Sequence, residues 1–339
     1  MKFSRLYLII FFMLNNFLLV FAQDKSLTKI NGMSMVASRS TINDANAKDL
    51  RDIGSNYIAV MPYAFMPKAE KAQLFFDTKR QWIGETLAGI ESDVETLQAL
   101  GLKVMIKPHI WIASGAFTGN IAMTSEEDWI QFEENYKAYI LAFASMAEKN
   151  KVSLFCLGTE LNSFVSERTE FWCELIEEVK SIYSGKLTYA ENWDKYDDVI
   201  FWDSLDYIGI DAYFPISENK TPSVEKVNFA WHGLKSALKS FSKDYNSKIL
   251  FTEYGYRSID YAGKEPWESS RKEVSGNETA QLNLLKGLHQ SIWDEDWFAG
   301  GFLWKWFPNY NSDSNRHHNR FTTQGKISES YLKSFFKKI

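Results

Sequence analysis

Two glutamates each follow a short apolar run with the composition of a buried β-strand. Glu160 comes after V-S-L-F-C-L-G-T, and Glu253 comes after K-I-L-F-T. A carboxylate at the end of a buried strand is unfavourable unless a neighbouring group neutralises it or a reaction uses it. Two carboxyls ~5 to 5.5 Å apart can cleave a glycosidic bond with retention, one as nucleophile and the other as acid and then base. For either glutamate taken alone, a structural ion pair with Lys or Arg is the alternative.

Eight such apolar runs alternate with longer segments of helical periodicity, which is the pattern of repeated strand and helix units. Because no Pro/Gly/Ser-rich linker separates them, they predict the α/β class and a single-domain (β/α)8 TIM barrel. The fourth and seventh strands of that barrel lie across from each other and can aim both glutamates into one cleft. The connection between the fifth and sixth strands is short and only weakly helical. The predicted strands are 30–37, 57–65, 102–111, 152–161, 187–193, 206–214, 248–255 and 299–306, and the predicted helices are 43–53, 90–100, 127–149, 170–183, 224–241 and 278–293.

The third predicted strand carries polar side chains that alternate with apolar ones. Lys107, His109 and Trp111 share one face, and Val104 and Ile106 share the other. We expect the apolar face to pack on the outer helices and the polar face to point to the barrel mouth. There, Lys107 can neutralise interior carboxylates. His109 fits a substrate contact and a structural hydrogen-bond donor equally well.

The fifth and sixth predicted strands add further candidates. The fifth ends Y-A-E-N-W, which makes Glu191 a rival acid, or else a charge that faces a helix or the surface. Asn192 and Trp193 are candidate contacts for sugar hydroxyls and rings. On the sixth strand, Asp211 and Tyr213 share a face. We therefore place Asn192, Trp193, Asp211 and Tyr213 among the predicted substrate-binding residues.

Aromatic residues make up 16% of the chain, including 12 Trp. Such rings can fill a core, and their flat faces can also stack on the apolar faces of sugar rings. Trp304 and Trp306 both lie at the end of the eighth predicted strand and point the same way. We place Trp304 in the cleft because it sits deeper, with core packing as the alternative for either residue.

Four segments resemble glycoside hydrolase family 113, within the clan of retaining (β/α)8-barrel glycosidases. The likeness runs over essentially the whole chain after the N-terminal apolar segment and ends with F-T-T-Q-G-K at 321–326. Members of the family are known as β-1,4-mannanases. The four segments are M-I-K-P-H-I-W at 105–111, L-G-T-E-L at 157–161, F-T-E-Y-G-Y at 251–256 and L-W-K-W-F-P at 303–308.

The resemblance implies roles for several of these residues. Glu160 is implied to be the acid/base and Glu253 the nucleophile. Tyr213 is implied to hydrogen-bond the nucleophile, and a Trp at the position of Trp304 to lie under the sugar that is cleaved. The wider clan has Asn before the acid/base, whereas this chain has Thr159, as the narrower family does. Which residue contacts the sugar 2-hydroxyl is therefore open.

The sequence thus predicts a retaining endo-β-1,4-mannanase that acts on β-mannan or manno-oligosaccharides without a cofactor or metal. An exo-acting β-mannosidase or a β-glucanase on the same fold is the alternative, and loops such as 259–277 would decide it by closing or leaving open one end of the cleft. A carbohydrate-binding barrel without catalysis is a further alternative. His317 and His318 have no third ligand at suitable spacing, so we interpret them as a polar loop.

The N-terminus has the features of a secretory signal peptide over residues 1–22. Lys2 and Arg5 precede an apolar run, and Val20 and Ala22 are small residues suited to cleavage. An uncleaved membrane anchor is the alternative. We expect residues 23–339 to form the catalytic domain, exported to the periplasm or the medium, with no stable membrane partner after cleavage.

The net charge of -5 and the pI near 5.7 provide no basic surface for nucleic acid. We expect a monomer. The chain contains two cysteines, Cys156 and Cys173, both in apolar surroundings. We predict two buried thiols rather than a disulfide, since a fold of this size does not need one.

Overall fold

The computed structural model describes residues 29–270, 274–312, 314 and 317–338. The predicted signal peptide, residues 1–22, and its cleavage site lie outside the described residues. Within the described part, no helix combines the length and the apolar character needed to cross a bilayer.

Eight parallel strands close into a barrel, which confirms the predicted (β/α)8 fold. Around the barrel the strand order is β1-β10-β9-β8-β7-β6-β4-β2, while β3 and β5 form a separate two-stranded sheet. The strands are β1 (Ile30–Met35), β2 (Tyr57–Val60), β3 (Tyr63–Met66), β4 (Lys103–Ile106), β5 (His109–Ile112), β6 (Leu154–Thr159), β7 (Lys186–Asn192), β8 (Tyr207–Asp211), β9 (Lys248–Tyr254) and β10 (Phe298–Trp306).

The predicted second and third strands are each divided in two by a proline. Pro62 lies between β2 and β3, and Pro108 lies between β4 and β5. Proline has no N–H to donate to a strand ladder, so two prolines at matching positions interrupt the barrel pairing. Beyond the interruption β3 pairs with β5 in parallel as a small separate sheet, and Phe65 of β3 also forms an isolated antiparallel bridge with Phe75.

Helices surround the barrel, and each of the six predicted helices is present with its ends within three residues of prediction. Between β7 and β8, residues 193–206 contain two short 3-10 turns and no α-helix, so the weakly helical connection stays irregular. The helices are α1 (Asp44–Asp52), α2 (Leu87–Ala99), α3 (Glu126–Lys149), α4 (Asn162–Glu167), α5 (Thr169–Ile182), α6 (Val224–Asp244), α7 (Glu278–Ile292) and α8 (Ile327–Phe336).

The core has two layers, as strand alternation requires. Inside the barrel, Met105 of β4 packs with Leu154 of β6 and Leu250 of β9. Val104 and Ile106 belong instead to the larger layer between barrel and helices, as predicted. The interior layer forms the floor on which polar groups at the mouth rest.

The two cysteines are both free thiols, but only one is buried. Cys156 lies in the barrel interior. The predicted burial of Cys173 is wrong, because the period of α5 turns Phe171, Trp172 and Leu175 inward and leaves Cys173 exposed.

Candidate active site

Glu160 follows β6 at the barrel mouth with an unusual backbone conformation. Its φ is 52°, in the left-handed region that non-glycine residues rarely adopt. The Glu160 N–H donates to the Ala190 carbonyl of β7 at 2.8 Å, and the register between β6 and β7 shifts between Cys156 and Thr159. The half-buried side chain therefore leaves the strand at a tight turn rather than continuing its alternation.

Glu253 reaches the same mouth from β9 because of a second register shift. Ile249 and Phe251 face the outer core, and strict alternation along β9 would place Glu253 on that same side. Ile210 pairs with Phe251, but Asp211 pairs with Glu253, one residue further along β9. This bulge turns Glu253 from the outer layer into the mouth.

Both carboxyl oxygens of Glu253 accept hydrogen bonds. Lys107 Nζ lies 2.5 Å from Oε1, and the Tyr213 hydroxyl donates to Oε2 at 2.7 Å. Lys107 also contacts Asp211 Oδ2 at 2.9 Å, and His109 Nε2 lies 3.9 Å from Glu253 Oε1. The structure thus brings together Lys107, His109, Asp211, Tyr213 and Glu253, all of which the sequence placed at the mouth.

Burial and charge set the protonation of this cluster. Burial alone would lower the pKa of Lys107, but the carboxylates of Asp211 and Glu253 outweigh it and raise that pKa. Burial, together with the charges of Asp211 and Glu253, raises the pKa of Glu160 well above its usual range. The surroundings therefore favour the charged form of Lys107 and the protonated form of Glu160.

Asp211 and His109 are shifted by the same surroundings. Burial, and then the charge of Glu253, raises the pKa of Asp211 to about 7 against the opposing effect of Lys107. Burial and the nearby Lys107 lower the pKa of His109 well below its ordinary value. His109 is accordingly a neutral imidazole at neutral pH.

An aromatic surface adjoins the carboxyls. The His109 ring lies between Tyr63, at 5.3 Å, and Trp304, at 6.3 Å between ring centroids. Its Nε2 has no hydrogen-bond partner among the described residues and faces the carboxyl cluster. Trp304 is partly exposed, whereas Trp306 is buried in the outer core. The structure therefore places Trp304, and not Trp306, at the cleft.

The residues at the end of β7 take different directions. Asn192 Oδ1 accepts from the Trp193 N–H at 2.9 Å, and the Trp193 ring stacks on Trp267 at 5.3 Å. Glu191 is fully buried, so it is not the surface charge that was one alternative. Its carboxyl accepts from Tyr189 and from the Asn192 N–H, and burial raises its pKa to about 8.

Thr159, which precedes Glu160, is buried. Its hydroxyl donates to the Pro108 carbonyl at 3.0 Å. This bond joins the end of β6 to the start of β5. The backbone therefore uses the donor of this hydroxyl, and only its acceptor lone pairs remain for another hydroxyl.

Beside the carboxyls lies a groove of about 970 Å³ that sequence reasoning missed, apart from Trp111. The connection between β3 and α2 supplies most of its wall. Trp111 is 54% exposed and Trp82 is 43% exposed. The density of aromatic residues between 63 and 82 was the only signal in the sequence, and it equally fits a core. The aromatic lining consists of Tyr63, Phe65, Phe75, Trp82 and Trp111.

Within the described residues, no group of three or more His, Cys, Asp or Glu side chains is arranged to hold a metal ion. The two residues of the predicted polar loop, His317 and His318, contact other segments of the chain. The His317 ring packs on Phe307 at 4.3 Å, and the His318 carbonyl accepts from the Ser258 hydroxyl at 2.6 Å.

A closed (β/α)8 barrel with carboxyls at the ends of its fourth and seventh strands has the architecture of a glycoside hydrolase. The model of Glycoside Hydrolase Family 113 matches residues 35–326. The chain belongs to this family, and it is a glycoside hydrolase. No curated protein matches its sequence significantly.

Solved structures with the same fold include relatives of low sequence identity. The GH113 β-mannanase AaManA from Alicyclobacillus acidocaldarius, in complex with ManMIm, aligns with a TM-score of 0.81 at 23% identity, covering 92% of this chain and 98% of that one. A structure of a GH113 β-1,4-mannanase aligns with a TM-score of 0.79 at 22% identity, covering 92% and 100%. A Ruminococcus gnavus β-glucuronidase aligns with a TM-score of 0.62 at 12% identity, covering 92% of this chain and 50% of that one.

Proposed function

We propose that the protein is a retaining endo-β-1,4-mannanase in which Glu253 is the nucleophile and Glu160 the acid/base. One observation carries the proposal. Two donors, Lys107 and Tyr213, bind the Glu253 carboxyl, while burial and like charge raise the pKa of Glu160 at the same mouth. Double displacement requires one carboxylate that can attack and a second carboxyl that can supply a proton.

The first step joins the sugar to the enzyme. Glu253 attacks the anomeric carbon, and the glycosidic oxygen leaves with the proton of Glu160. Esterification removes the charge of Glu253, which contributes to the raised pKa of Glu160. Glu160 then accepts a proton from the water that displaces Glu253, so the β configuration is restored.

The aromatic surfaces support a polymeric substrate. The groove lies on the β3 and β5 side of the mouth, and the stacked Trp193 and Trp267 lie on the β7 and β9 side. Flat rings on both sides suit a neutral chain that passes the cleavage point. β-Mannan is the proposed polymer because two solved structures of the same fold are named β-mannanases. An exo-acting β-mannosidase and a β-glucanase remain the alternatives on this fold.

The test is product analysis with purified wild type, Glu160→Ala and Glu253→Ala on mannan, manno-oligosaccharides and β-glucan. We expect wild type alone to release manno-oligosaccharides of mixed length from mannan. Release of mannose only would support the exo alternative, and cleavage restricted to β-glucan would contradict the substrate. Cleavage of none of these glycans would favour a carbohydrate-binding barrel, and wild-type activity in either alanine variant would overturn the catalytic assignment.

We also propose that the protein is exported and acts as a monomer. Charged residues ahead of an apolar run and small residues at 20 and 22 support export. Sequencing the N-terminus of the protein from the host medium or periplasm should show Gln23 as the first residue. A mature chain that begins at Met1 would contradict cleavage, and light scattering of the purified protein tests the monomer.

A further inference from the structure

The peptide that follows Glu160 is held by a buried hydrogen-bond chain. The Leu161 N–H donates to the Tyr189 hydroxyl at 2.8 Å. Tyr189 in turn donates to Glu191 Oε2 at 3.1 Å, and Glu191 Oε1 accepts from the Asn192 N–H at 2.8 Å. Tyr189 and Glu191 are both fully buried. A carboxyl on β7 thus connects, through a phenol, to the backbone beside Glu160.

The backbone of Glu160 needs such support. A non-glycine residue in the left-handed region is strained and persists only where its surroundings fix it. The Glu160 N–H is fixed to Ala190 of β7, and the next N–H, that of Leu161, is fixed to Tyr189. Two successive peptide groups are therefore bonded to the same neighbouring strand, on either side of the Glu160 side chain.

The phenol that receives this bond is itself rigid. The Tyr189 ring packs against Trp172 at 5.2 Å and Phe201 at 5.7 Å between centroids. Only the hydroxyl group is left to make polar contacts, and it accepts from one side and donates to the other. The Glu191 carboxyl holds this hydroxyl in place.

We propose that Tyr189 and Glu191 are positioning residues for the acid/base: they hold the turn that aims Glu160 at the glycosidic oxygen. The proposal rests on the catalytic role proposed for Glu160. Glu191 is not a second acid in this arrangement, since both of its oxygens are occupied by Tyr189 and the Asn192 N–H.

The variant that tests Glu191 must remove its polar atoms altogether. Burial raises the pKa of Glu191 to about 8, so its carboxyl is largely protonated at neutral pH, and a glutamine, which also has a donor and an acceptor, resembles it. Glu191→Leu instead removes both oxygens that the Tyr189 hydroxyl and the Asn192 N–H contact.

The test compares Tyr189→Phe and Glu191→Leu with the control Tyr183→Phe. Tyr183 is also buried, and its hydroxyl donates to the Val152 carbonyl at 2.8 Å, just before β6 begins. Thermal unfolding first establishes the temperature at which every variant is folded. Two substrates of equal length are then compared, an unactivated manno-oligosaccharide and an aryl manno-oligoside with a 2,4-dinitrophenyl leaving group, with and without azide.

A misplaced acid/base has a distinct kinetic signature. We expect Tyr189→Phe and Glu191→Leu to lose about tenfold or more in kcat/KM on the unactivated substrate, because small displacements of a reacting group are expensive. The kcat/KM for the dinitrophenyl substrate should stay within about twofold, since that leaving group needs no proton. With the dinitrophenyl substrate, azide should raise the kcat of these two variants and give a β-glycosyl azide, because azide attacks without the help of a base. Tyr183→Phe should match wild type.

An equal loss on both substrates without azide acceleration would overturn the proposal, as would kinetics indistinguishable from those of Tyr183→Phe. If Tyr189→Phe does not fold, Glu191→Gln decides, because it keeps an acceptor and a donor beside Tyr189 and should recover most of the turnover lost in Glu191→Leu; no recovery overturns the proposal. Failure of wild type to cleave either substrate would instead refute the proposed function, which makes the two failures distinguishable.

Discussion

Lys107 Nζ lies 2.5 Å from Glu253 Oε1, and both side chains are almost completely buried. The same ammonium contacts Asp211 at 2.9 Å, so one cation serves two carboxyls from neighbouring strands. Removing one partner of a buried ion pair leaves an uncompensated charge and is strongly destabilising. Lys107 therefore supports both the barrel mouth and the proposed nucleophile.

Lys107→Met should reduce kcat/KM by about 100-fold or more and the free energy of unfolding by ~3 to 5 kcal/mol. The physical reason is that Asp211 and Glu253 then share a buried site without a cation and must take up protons. Steady-state kinetics and urea unfolding measure the two effects. Lys103→Met, on the exposed start of the same strand β4, is the control and should change neither quantity appreciably. A stable and active Lys107→Met variant would contradict this assignment.

Tyr213→Phe should slow formation of the glycosyl-enzyme. The lost hydrogen bond, at 2.7 Å to Glu253 Oε2, involves a charged acceptor and is worth ~1.5 to 3 kcal/mol, or about 10- to 100-fold in kcat/KM. Measurement on the dinitrophenyl substrate isolates this step. Tyr183→Phe is a matched control, because its buried hydroxyl donates to the Val152 carbonyl just before β6, away from the carboxyls. Equal losses in the two variants would indicate a general packing effect instead.

The stability of the protein should depend on pH through Glu191. Its pKa is about 8 in the folded protein, against 4.5 for an ordinary glutamate, mainly because it is buried. Between these values the folded state keeps a proton that the unfolded chain releases, so the free energy of unfolding declines as pH rises from about 5 to 8. Urea unfolding across this interval should give a steeper decline for wild type than for Glu191→Gln, which has no such proton. Parallel curves would contradict the shift.

The groove should bind the longer part of a substrate chain. Trp82→Ala and Trp111→Ala each remove an exposed ring, so kcat/KM should fall by about tenfold on long manno-oligosaccharides and much less on short ones. A series of oligosaccharides of increasing length measures this. Phe229→Ala, which removes a 75% exposed ring on the outer helix α6, is the control and should leave the length dependence unchanged. A length-independent loss would argue against binding along the groove.

Much of the framework could be predicted from the sequence because it depends on periodicity. The strand ends at Glu160 and Glu253 were predictable, since apolar runs are specified locally by residue type. The sequence placed Glu253 at the mouth, but it did not reveal why the side chain points inward. It depends on the register of β8 against β9, and a bulge leaves no mark in the alternation of a single strand.

Other features depend on partners that are distant in the chain. The bond from the Leu161 N–H to Tyr189 joins residues from two strand ends, and nothing in either segment indicates the contact. The groove was missed because aromatic residues in the connection after β3 have the same composition as a core. Pro62 and Pro108 are evident in the sequence, but they interrupt the barrel pairing only because they lie at matched positions on adjacent strands.

The small sheet of β3 and β5 carries one side of the substrate surface without contributing a strand to the closed barrel. Tyr63 and Trp111 stand on it, while Glu160 and Glu253 stand on the barrel itself. Selection can therefore act on the two parts separately. Replacing residues 62–85 should alter which glycans bind along the groove and leave the two carboxyls in place. This segment is therefore the natural unit to exchange when the enzyme is engineered toward new polysaccharides.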